Sequence, residues 1–327
     1  YISKMTNIIF KINLMIKKIH SKYFTQIFFG LMEKKQYMEI IKYNKDVQER
    51  MEISQKDYEK IYNQIEVEVS LKDNLVFKKE QPNIFINYLE GKNNYHIYFD
   101  DNKETIDRNY INKEDKVLKI RIIIEPEVKT FKGLFKDCKS IKEITFTKFN
   151  RNDIIDMSEM FYGCNSLTKI NFYHFNTEKV TNMSKMFMQC CSLVDLDLSI
   201  FNTKDVENMS FMFSQSNALK ELDLSNFKTE KVTDMSAMFF GCTRLEKLNL
   251  SNFNFDNVTH IKGMFNICSS LIDLDFPQTN LEKATDAKYI FNLCKFELLC
   301  SLILKNTNLI TKDVWGITID KKDILQH

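Results

Sequence analysis

Carboxylate side chains recur in closely spaced pairs along the second half of the chain, and these pairs are the residues best placed for chemistry. The pairs are Asp195 with Asp197, Glu221 with Asp223, and Asp273 with Asp275. Two carboxylates can divide the roles of acid and base in hydrolysis. They can also attract a basic partner, because complementary charges favour association. Since the pairs return in successive parts of the chain without an accompanying nucleophile, we favour binding over catalysis.

Cysteines form a second regular set. Six of the 8 cysteines occupy equivalent places in a 26-residue spacing, namely Cys138, Cys164, Cys190, Cys242, Cys268 and Cys294. Neighbouring rungs about 4.8 Å apart would permit disulfides between them. Ser216 fills the one remaining place, however, and no C-x-x-C pattern accompanies the set. We therefore favour a column of small buried thiols and expect no metal site.

The motifs of common enzyme classes are missing from the sequence. The 5 histidines are scattered, with no H-E-x-x-H pattern, and the 7 glycines form neither G-x-G-x-x-G nor G-x-x-x-x-G-K-[ST] nor G-x-S-x-G. Those patterns are typical of zinc hydrolases, nucleotide-binding proteins and serine hydrolases. We accordingly predict that the protein is not an enzyme, with no catalytic residues and no cofactor.

Charge and hydropathy narrow the class of partner. Lys plus Arg total 46 and Asp plus Glu total 44, so the net charge is +2. A dedicated nucleic-acid binder normally has a strong basic excess, and we expect no nucleic-acid partner. Apolar residues reach 44%, enough for a folded core. No uncharged apolar run is long enough for a transmembrane helix, and we expect a cytoplasmic protein.

A 26-residue repeat organises residues 118–305. Phenylalanine marks it at Phe135, Phe161, Phe187, Phe213, Phe239, Phe265 and Phe291. Each unit also contains L-x-x-L-x-L, as in residues 193–198, whose end alternates apolar and polar like a strand with one buried face. A turn-prone Ser-x-Phe-Asn-Thr segment follows. The three-residue spacing of Val206, Met209 and Met212 then predicts a short helical or 3₁₀ return.

A single unit cannot fold alone. Its large apolar side chains are worth roughly 1.5–3 kcal/mol each when buried, whereas ordering each residue of its backbone costs about 1–2 kcal/mol. Neighbouring units must cover both of its faces, as in other repeat proteins.

Two stretches identify what the repeat resembles: "MFYGCNSLTKINFYHFNTEKVTNMSKMF" and "MFFGCTRLEKLNLSNFNFDNVTHIKGMF". They are similar to the BspA-type leucine-rich repeat family. The resemblance implies strands side by side on a concave wall and a role in adhesion or protein recognition, and many members are secreted or surface-attached. Ser216, Pro277, Thr279 and residues 295–300 depart from the pattern.

From this repeat and resemblance we predict an α/β solenoid. It is a leucine-rich-repeat right-handed coil with a parallel β-sheet on the concave side, preceded by a small helical segment and a β-rich cap. The predicted domains are a helical segment (1–62), a β-rich cap (63–117), the solenoid (118–305) and a C-terminal cap or tail (306–327).

Outward positions of the predicted concave strands are the candidate binding site, because recognition in repeat proteins uses this face. They are Asp195, Asp197, Glu221, Asp223, Lys247, Asn249, Asp273 and Asp275. Their excess of carboxylates favours a basic or polar polypeptide partner. A hydrated polar face inherited from the repeat is the alternative interpretation.

The N-terminal region leaves other functions open. Residues 1–22 predict an amphipathic helix, on an anionic membrane or packed on the chain. Residues 19–51 loosely resemble an F-box-like module, which implies binding to a ubiquitin-ligase linker protein. A surface adhesin is a third possibility, since Asn182, Asn208 and Asn257 begin glycosylation patterns. These patterns also fit simple capping turns. The leading hypothesis is a non-enzymatic module that binds a polypeptide on the concave face.

Overall fold

The structure is a computed structural model. It describes residues 49, 55–73, 75–77, 82–277, 281 and 283–295. The predicted amphipathic helix of residues 1–22, the F-box-like helices of residues 19–51 (residue 49 excepted) and the C-terminal cap of residues 306–327 lie outside them.

The chain divides into two compact units, Tyr1–Gln64 and Ile65–His327. In the first unit, helix α1 spans Gln55–Asn63. Asp57 lies in its first turn and Lys60 in its last. This order of charges favours a helix, because it opposes the helix dipole at both ends. Among the described residues, no helix has the length and apolar character needed to cross a membrane.

The second unit is built from strands. Those described are β1 (Ile65–Leu71), β2 (Asn83–Ile84), β3 (Tyr95–Phe99), β4 (Tyr110–Ile111), β5 (Lys119–Ile124), β6 (Ile141–Lys148), β7 (Lys169–Asn171), β8 (Glu221–Asp223), β9 (Lys247–Asn249) and β10 (Asp273–Asp275). Alternating burial explains the longer ones: every second residue of β1 is buried, from Ile65 to Leu71. β-Branched residues at such positions suit a half-buried strand.

The strands form three sheets. A five-stranded sheet has the order β3-β5-β1-β6-β7, a three-stranded sheet the order β10-β9-β8, and β2 pairs with β4. β1 is antiparallel to both of its neighbours, so Val69 faces Ile120 on β5 and Ile144 on β6. β6 and β7 are parallel, as are β8, β9 and β10. The predicted cap and the first repeats therefore share one mixed sheet.

The segments that correspond to residues 157–164 in each repeat, which contain the Met-Phe-x-x-Cys pattern and are here called the return segments, pack against one another. Their backbones pair across repeats, as when the Met157 N–H donates to the Asn182 carbonyl at 3.0 Å and the Phe161 N–H to the Met186 carbonyl at 2.9 Å. The phenylalanine column from Phe135 to Phe291 stacks with centroids 5.2–5.7 Å apart. Backbone pairing and ring stacking thus hold neighbouring repeats in the 26-residue register.

The predicted α/β solenoid is wrong. The regular elements of the described residues are mostly β-strands in mixed sheets, and the α-helical residues among them precede the repeats, so this part of the chain has no closed leucine-rich-repeat coil with helical returns. Each return segment has two positions at φ of 52–73°, for example Lys185 and Gln189. A right-handed helix needs φ near −63°. The predicted helical or 3₁₀ returns are therefore successive turns.

The predicted parallel sheet is also interrupted. Residues 195–197 form no strand, although the equivalent residues of other repeats form β7 and β8. Asp195 and Asp197 stand 26 residues before Glu221 and Asp223. Pairing between residues 195–197 and β8 would therefore place carboxylates opposite carboxylates. In contrast, Glu221 lies opposite Lys247 and Asp223 opposite Asn249 in the paired strands. Like charges placed opposite one another disfavour strand pairing on the β8 side. Residues 195–197 also form no strand pairing with β7, where Lys169 stands 26 residues before Asp195, and charge does not explain that side.

Candidate functional site

The eight predicted site residues lie together on one surface, which we call the acidic face. They are Asp195, Asp197, Glu221, Asp223, Lys247, Asn249, Asp273 and Asp275, and all are exposed. They line one open groove of about 610 Å³. Between them, Leu196, Leu222 and Leu248 turn inward and are buried. Period-two alternation of the leucines therefore places the polar residues outward, as the sequence predicts.

The first column of the acidic face contains Asp195, Glu221, Lys247 and Asp273. Lys247 lies opposite Glu221 on one side and Asp273 on the other. Its Nζ is 4.0 Å from the Glu221 Oε1, and both side chains are more than half exposed. Such a pair contributes little to stability in water. The side chains of this column thus remain available to a partner.

The second column has a structural role that the sequence analysis missed. The Oδ1 atoms of Asp197, Asp223 and Asn249 each accept a hydrogen bond at 2.9 Å from the backbone N–H two residues later. Such Asx turns end the strand segment and start the next turn. The detectable signal is Asp-Leu-Ser or Asn-Leu-Ser, which begins at these three positions.

The turns also hold the carboxylates in their charged form. Hydrogen bonds from Ser199 lower the pKa of Asp197, and those from Ser225 lower the pKa of Asp223. The negative charge of Asp197 acts in the opposite direction on the pKa of Asp223, with a smaller effect. A carboxylate that accepts N–H bonds is stabilised as the anion. The acidic face is therefore strongly anionic at neutral pH, with six carboxylates and one lysine around the groove.

Metal binding is not supported by the arrangement of these groups. Within the part of the chain that the structure describes, no three His, Cys, Asp or Glu side chains are arranged to hold a metal ion. The carboxylates instead follow the rungs of the repeat, so their charge is spread along the surface rather than concentrated at one point.

The cysteine column lies inside the fold. Cys138, Cys164, Cys190, Cys242 and Cys268 are buried and free, and Cys294 is partly buried and free. The thiols do more than fill space, because the Sγ of Cys164 donates to the Phe135 carbonyl at 2.9 Å and later members repeat this contact. Ser216 keeps the same contact through its hydroxyl, at 2.6 Å from the Phe187 carbonyl. Ser216 thus replaces the thiol donor of the column with a hydroxyl donor.

The three glycosylation patterns coincide with backbone contacts. Asn182 and Asn208 each accept the N–H two residues later, at 3.0 and 2.9 Å. The Asn257 Nδ2 donates to the Glu230 carbonyl at 2.7 Å. All three asparagines therefore have structural contacts in the repeat.

A second cavity adjoins the acidic face and was not predicted. Its volume is about 430 Å³, and Tyr173, His174, Ile200 and Asp197 contribute to its walls. Asp197 lines both this cavity and the groove of the acidic face. The sequence does contain a signal for this cavity, because Tyr173 and Ile200 break the repeat pattern. The equivalent positions in a later repeat hold the polar residues Ser225 and Asn226.

The F-box-like module, its ubiquitin-ligase linker partner and the cytoplasmic location stay predictions. The helices concerned lie outside the described residues.

No curated protein and no solved structure matches the chain. One family model, described as Mycoplasma protein of unknown function, DUF285, matches residues 129–221 and again residues 194–298. These matches overlap, cover most of the repeats and together span more than half of the sequence. The chain therefore belongs to the family described as Mycoplasma protein of unknown function, DUF285.

Proposed function

We propose that this chain is a non-enzymatic recognition module that binds a polypeptide with basic side chains along the acidic face. The supporting observation is that the predicted positions share one groove with six carboxylates and a single lysine. An exposed surface of one charge sign attracts a partner of the opposite sign and steers its approach.

The distribution of charge favours an elongated partner. Carboxylates occur on the repeats of Asp195, Glu221 and Asp273, so the negative potential continues across several rungs. Successive rungs of a sheet lie about 4.8 Å apart, and long lysine or arginine side chains can reach several of them from one extended chain. A small compact cation would use only a fraction of this surface.

The chemistry of the groove favours binding over catalysis. Asp197 and Asp223 are engaged in Asx turns and kept ionised, which makes them poor general acids at neutral pH. No histidine or cysteine lines the groove among the residues that the structure describes. A recognition role therefore uses the groove as it stands.

The repeat itself supplies substitutions that remove charge while keeping the fold. Lys169 and Asn171 stand in the two columns one repeat before Asp195 and Asp197, and Lys247 and Asn249 stand one repeat after Glu221 and Asp223. The variant Asp195→Lys, Asp197→Asn, Glu221→Lys, Asp223→Asn uses these residue types. Asparagine retains the acceptor of the Asx turn.

Binding is measured by fluorescence anisotropy with a labelled peptide of alternating lysine and serine. We expect the four-residue variant to bind at least about 10-fold more weakly, a loss of about 1.4 kcal/mol. Its new lysines stand in one column with Lys169 and Lys247, which weakens strand pairing, so binding is compared at a temperature where circular dichroism shows this variant and its control to be folded. A control variant, Glu178→Lys, Glu207→Lys, Glu230→Lys, gives the same increase in net charge away from the groove. Equal weakening in both variants, or none in the first, would contradict the proposal.

A further inference from the structure

Two exposed apolar side chains sit beside the carboxylates of the acidic face. Tyr173 is 64% exposed and Ile200 is 47% exposed. Both line the second cavity together with Asp197, which also lines the groove of the acidic face, and with His174. The cavity therefore combines an aromatic, an aliphatic and an acidic residue beside an imidazole.

These side chains are exceptions within the repeat. The column of Tyr173 continues with Ser199, Ser225 and Ser251. The column of Ile200 continues with Asn226 and Asn252. Polar residues thus satisfy the turn in later repeats, and the packing of the fold does not require tyrosine or isoleucine at the surface.

Asparagine at the position of Ile200 makes backbone hydrogen bonds in a later repeat, and isoleucine cannot make them. The Nδ2 of Asn226 donates to the carbonyls of Leu198, Ser199 and Phe201 in the preceding turn, at 2.9–3.3 Å. Ile200 has no such amide. Within the described part of the chain, the Tyr173 carbonyl, equivalent to that of Ser199, receives no hydrogen bond. A free backbone acceptor therefore lies in the residue whose ring lines the cavity.

Each of these groups suits one kind of ligand side chain. An aliphatic stem packs on Ile200, and a planar cation can stack on the Tyr173 ring. A guanidinium has five N–H donors, enough for the Asp197 carboxylate and for a free carbonyl at once. We infer that the cavity at Tyr173 and Ile200 is a specificity pocket for an arginine side chain of the bound polypeptide.

This inference rests on the proposed function, which it deepens by naming the residue that anchors the partner. The acidic face supplies attraction for any basic chain, because its charge is spread over several repeats. The pocket adds a contact that depends on the shape and donor number of one side chain. An experiment can therefore reject the arginine pocket without rejecting binding at the acidic face.

The test compares two labelled peptides on the full chain. One is the alternating lysine–serine peptide with a single central arginine, and the other has a lysine in place of that arginine, so that both peptides have the same charge and differ in the shape and donor number of one side chain. We expect the arginine peptide to bind wild type about 10-fold more tightly. The variant Tyr173→Ser, Ile200→Asn, which adopts the residues of the later repeats, should remove this preference and keep or raise the melting temperature.

A matched control is Val194→Thr. Val194 is 59% exposed and lies outside the pocket, and threonine stands at the equivalent Thr168. This variant should keep the arginine preference. An unchanged preference in Tyr173→Ser, Ile200→Asn would overturn the pocket and leave the acidic face standing, whereas absence of binding by both peptides to wild type would overturn both. Wild-type self-association that the double variant abolishes would make a second copy the occupant and would also overturn the inference.

Discussion

The hydroxyl of Ser216 donates a hydrogen bond to the carbonyl oxygen of Phe187 at 2.6 Å, as cysteine thiols do in other repeats. One repeat later, the Sγ of Cys242 lies 3.0 Å from the Phe213 carbonyl. In both cases a buried donor joins two successive repeats. The acidic face depends on such contacts, because its residues stand in line only while the repeats stay in register.

Removing the Ser216 hydroxyl should weaken the fold. We expect Ser216→Ala to lower the free energy of unfolding by about 1 kcal/mol, since it removes a buried hydrogen bond. Ser216→Cys should cost less, because a thiol occupies this place elsewhere. Urea denaturation measures both.

Ser214 provides the control for this prediction. Its Oγ is also buried, but it has no hydrogen-bond partner among the described residues. Ser214→Ala should therefore leave stability unchanged or raise it. Equal losses at Ser214 and Ser216 would contradict the role given to the hydrogen bond.

A buried threonine column joins the turns that follow the strand segments. The Thr203 Oγ1 donates to the Lys228 carbonyl at 2.9 Å and accepts from the Lys228 N–H at 2.7 Å. Thr203→Val keeps the shape and loses both bonds, so we expect a loss of about 1–3 kcal/mol in urea denaturation.

Thr233 offers a matched comparison. Its hydroxyl makes one 3.3 Å contact to the Glu207 carbonyl and is exposed to water. Thr233→Val should change stability by less than about 0.5 kcal/mol. Equal losses of unfolding free energy in Thr203→Val and Thr233→Val would contradict a stabilising role for the buried hydrogen bonds of Thr203.

Buried thiols predict a decline of stability in alkali. Burial raises the pKa of the Cys242 thiol from 9.0 to about 12. The unfolded thiol ionises near pH 9 and the folded thiol near pH 12, so this contribution is fully present below the lower value and is lost as pH rises through the interval. The expected slope is up to about 1.4 kcal/mol per pH unit for one such thiol.

Cys242→Ser isolates that contribution, because serine does not ionise in this range. The free energy of unfolding of wild type should fall more steeply than that of Cys242→Ser between about pH 8 and about pH 10.5. Parallel curves would show that the Cys242 thiol ionises equally well in both states.

The Asx turn at Asp197 predicts a graded loss of stability. Its hydrogen bonds from Ser199 lower the pKa of Asp197, so the anion contributes stability at neutral pH that is lost as pH falls through the folded pKa. Asp197→Asn keeps the acceptor for the Ser199 N–H but loses the charge, so we expect a loss of less than about 1 kcal/mol in urea denaturation. Asp197→Ala should lose more, since it removes the Asx turn. Higher stability of Asp197→Asn than of wild type would show that repulsion from Asp223 outweighs the turn.

Part of the fold and the whole of the acidic face follow from local patterns. The alternation around Leu196, Leu222 and Leu248 orients the charged residues outward, and this needs no knowledge of tertiary structure. The burial of the cysteine column likewise follows from strict spacing and small size. The sequence could not show that the thiols donate hydrogen bonds, because that depends on the carbonyls of a preceding repeat.

The return segments show where pattern reasoning failed. Three-residue spacing of valine and methionine indicates a helical turn, yet these segments contain positive φ at positions such as Glu159 and Lys185. Glycine marks this conformation only at some repeats, including Gly133 and Gly263, so residue type alone conceals it elsewhere. The interruption at residues 195–197 is only partly visible in the sequence, because carboxylates recur 26 residues later at Glu221 and Asp223 whereas Lys169 stands 26 residues earlier.

The most direct measurement of the central claim is photocrosslinking of the alternating lysine–serine peptide, with a benzophenone side chain at its centre, followed by mass spectrometry of the adducts. We predict adducts at residues 195–197 and in strands β8, β9 and β10, and their loss when unlabelled peptide competes. Adducts confined to the return segments or to residues 65–124 would contradict binding at the acidic face.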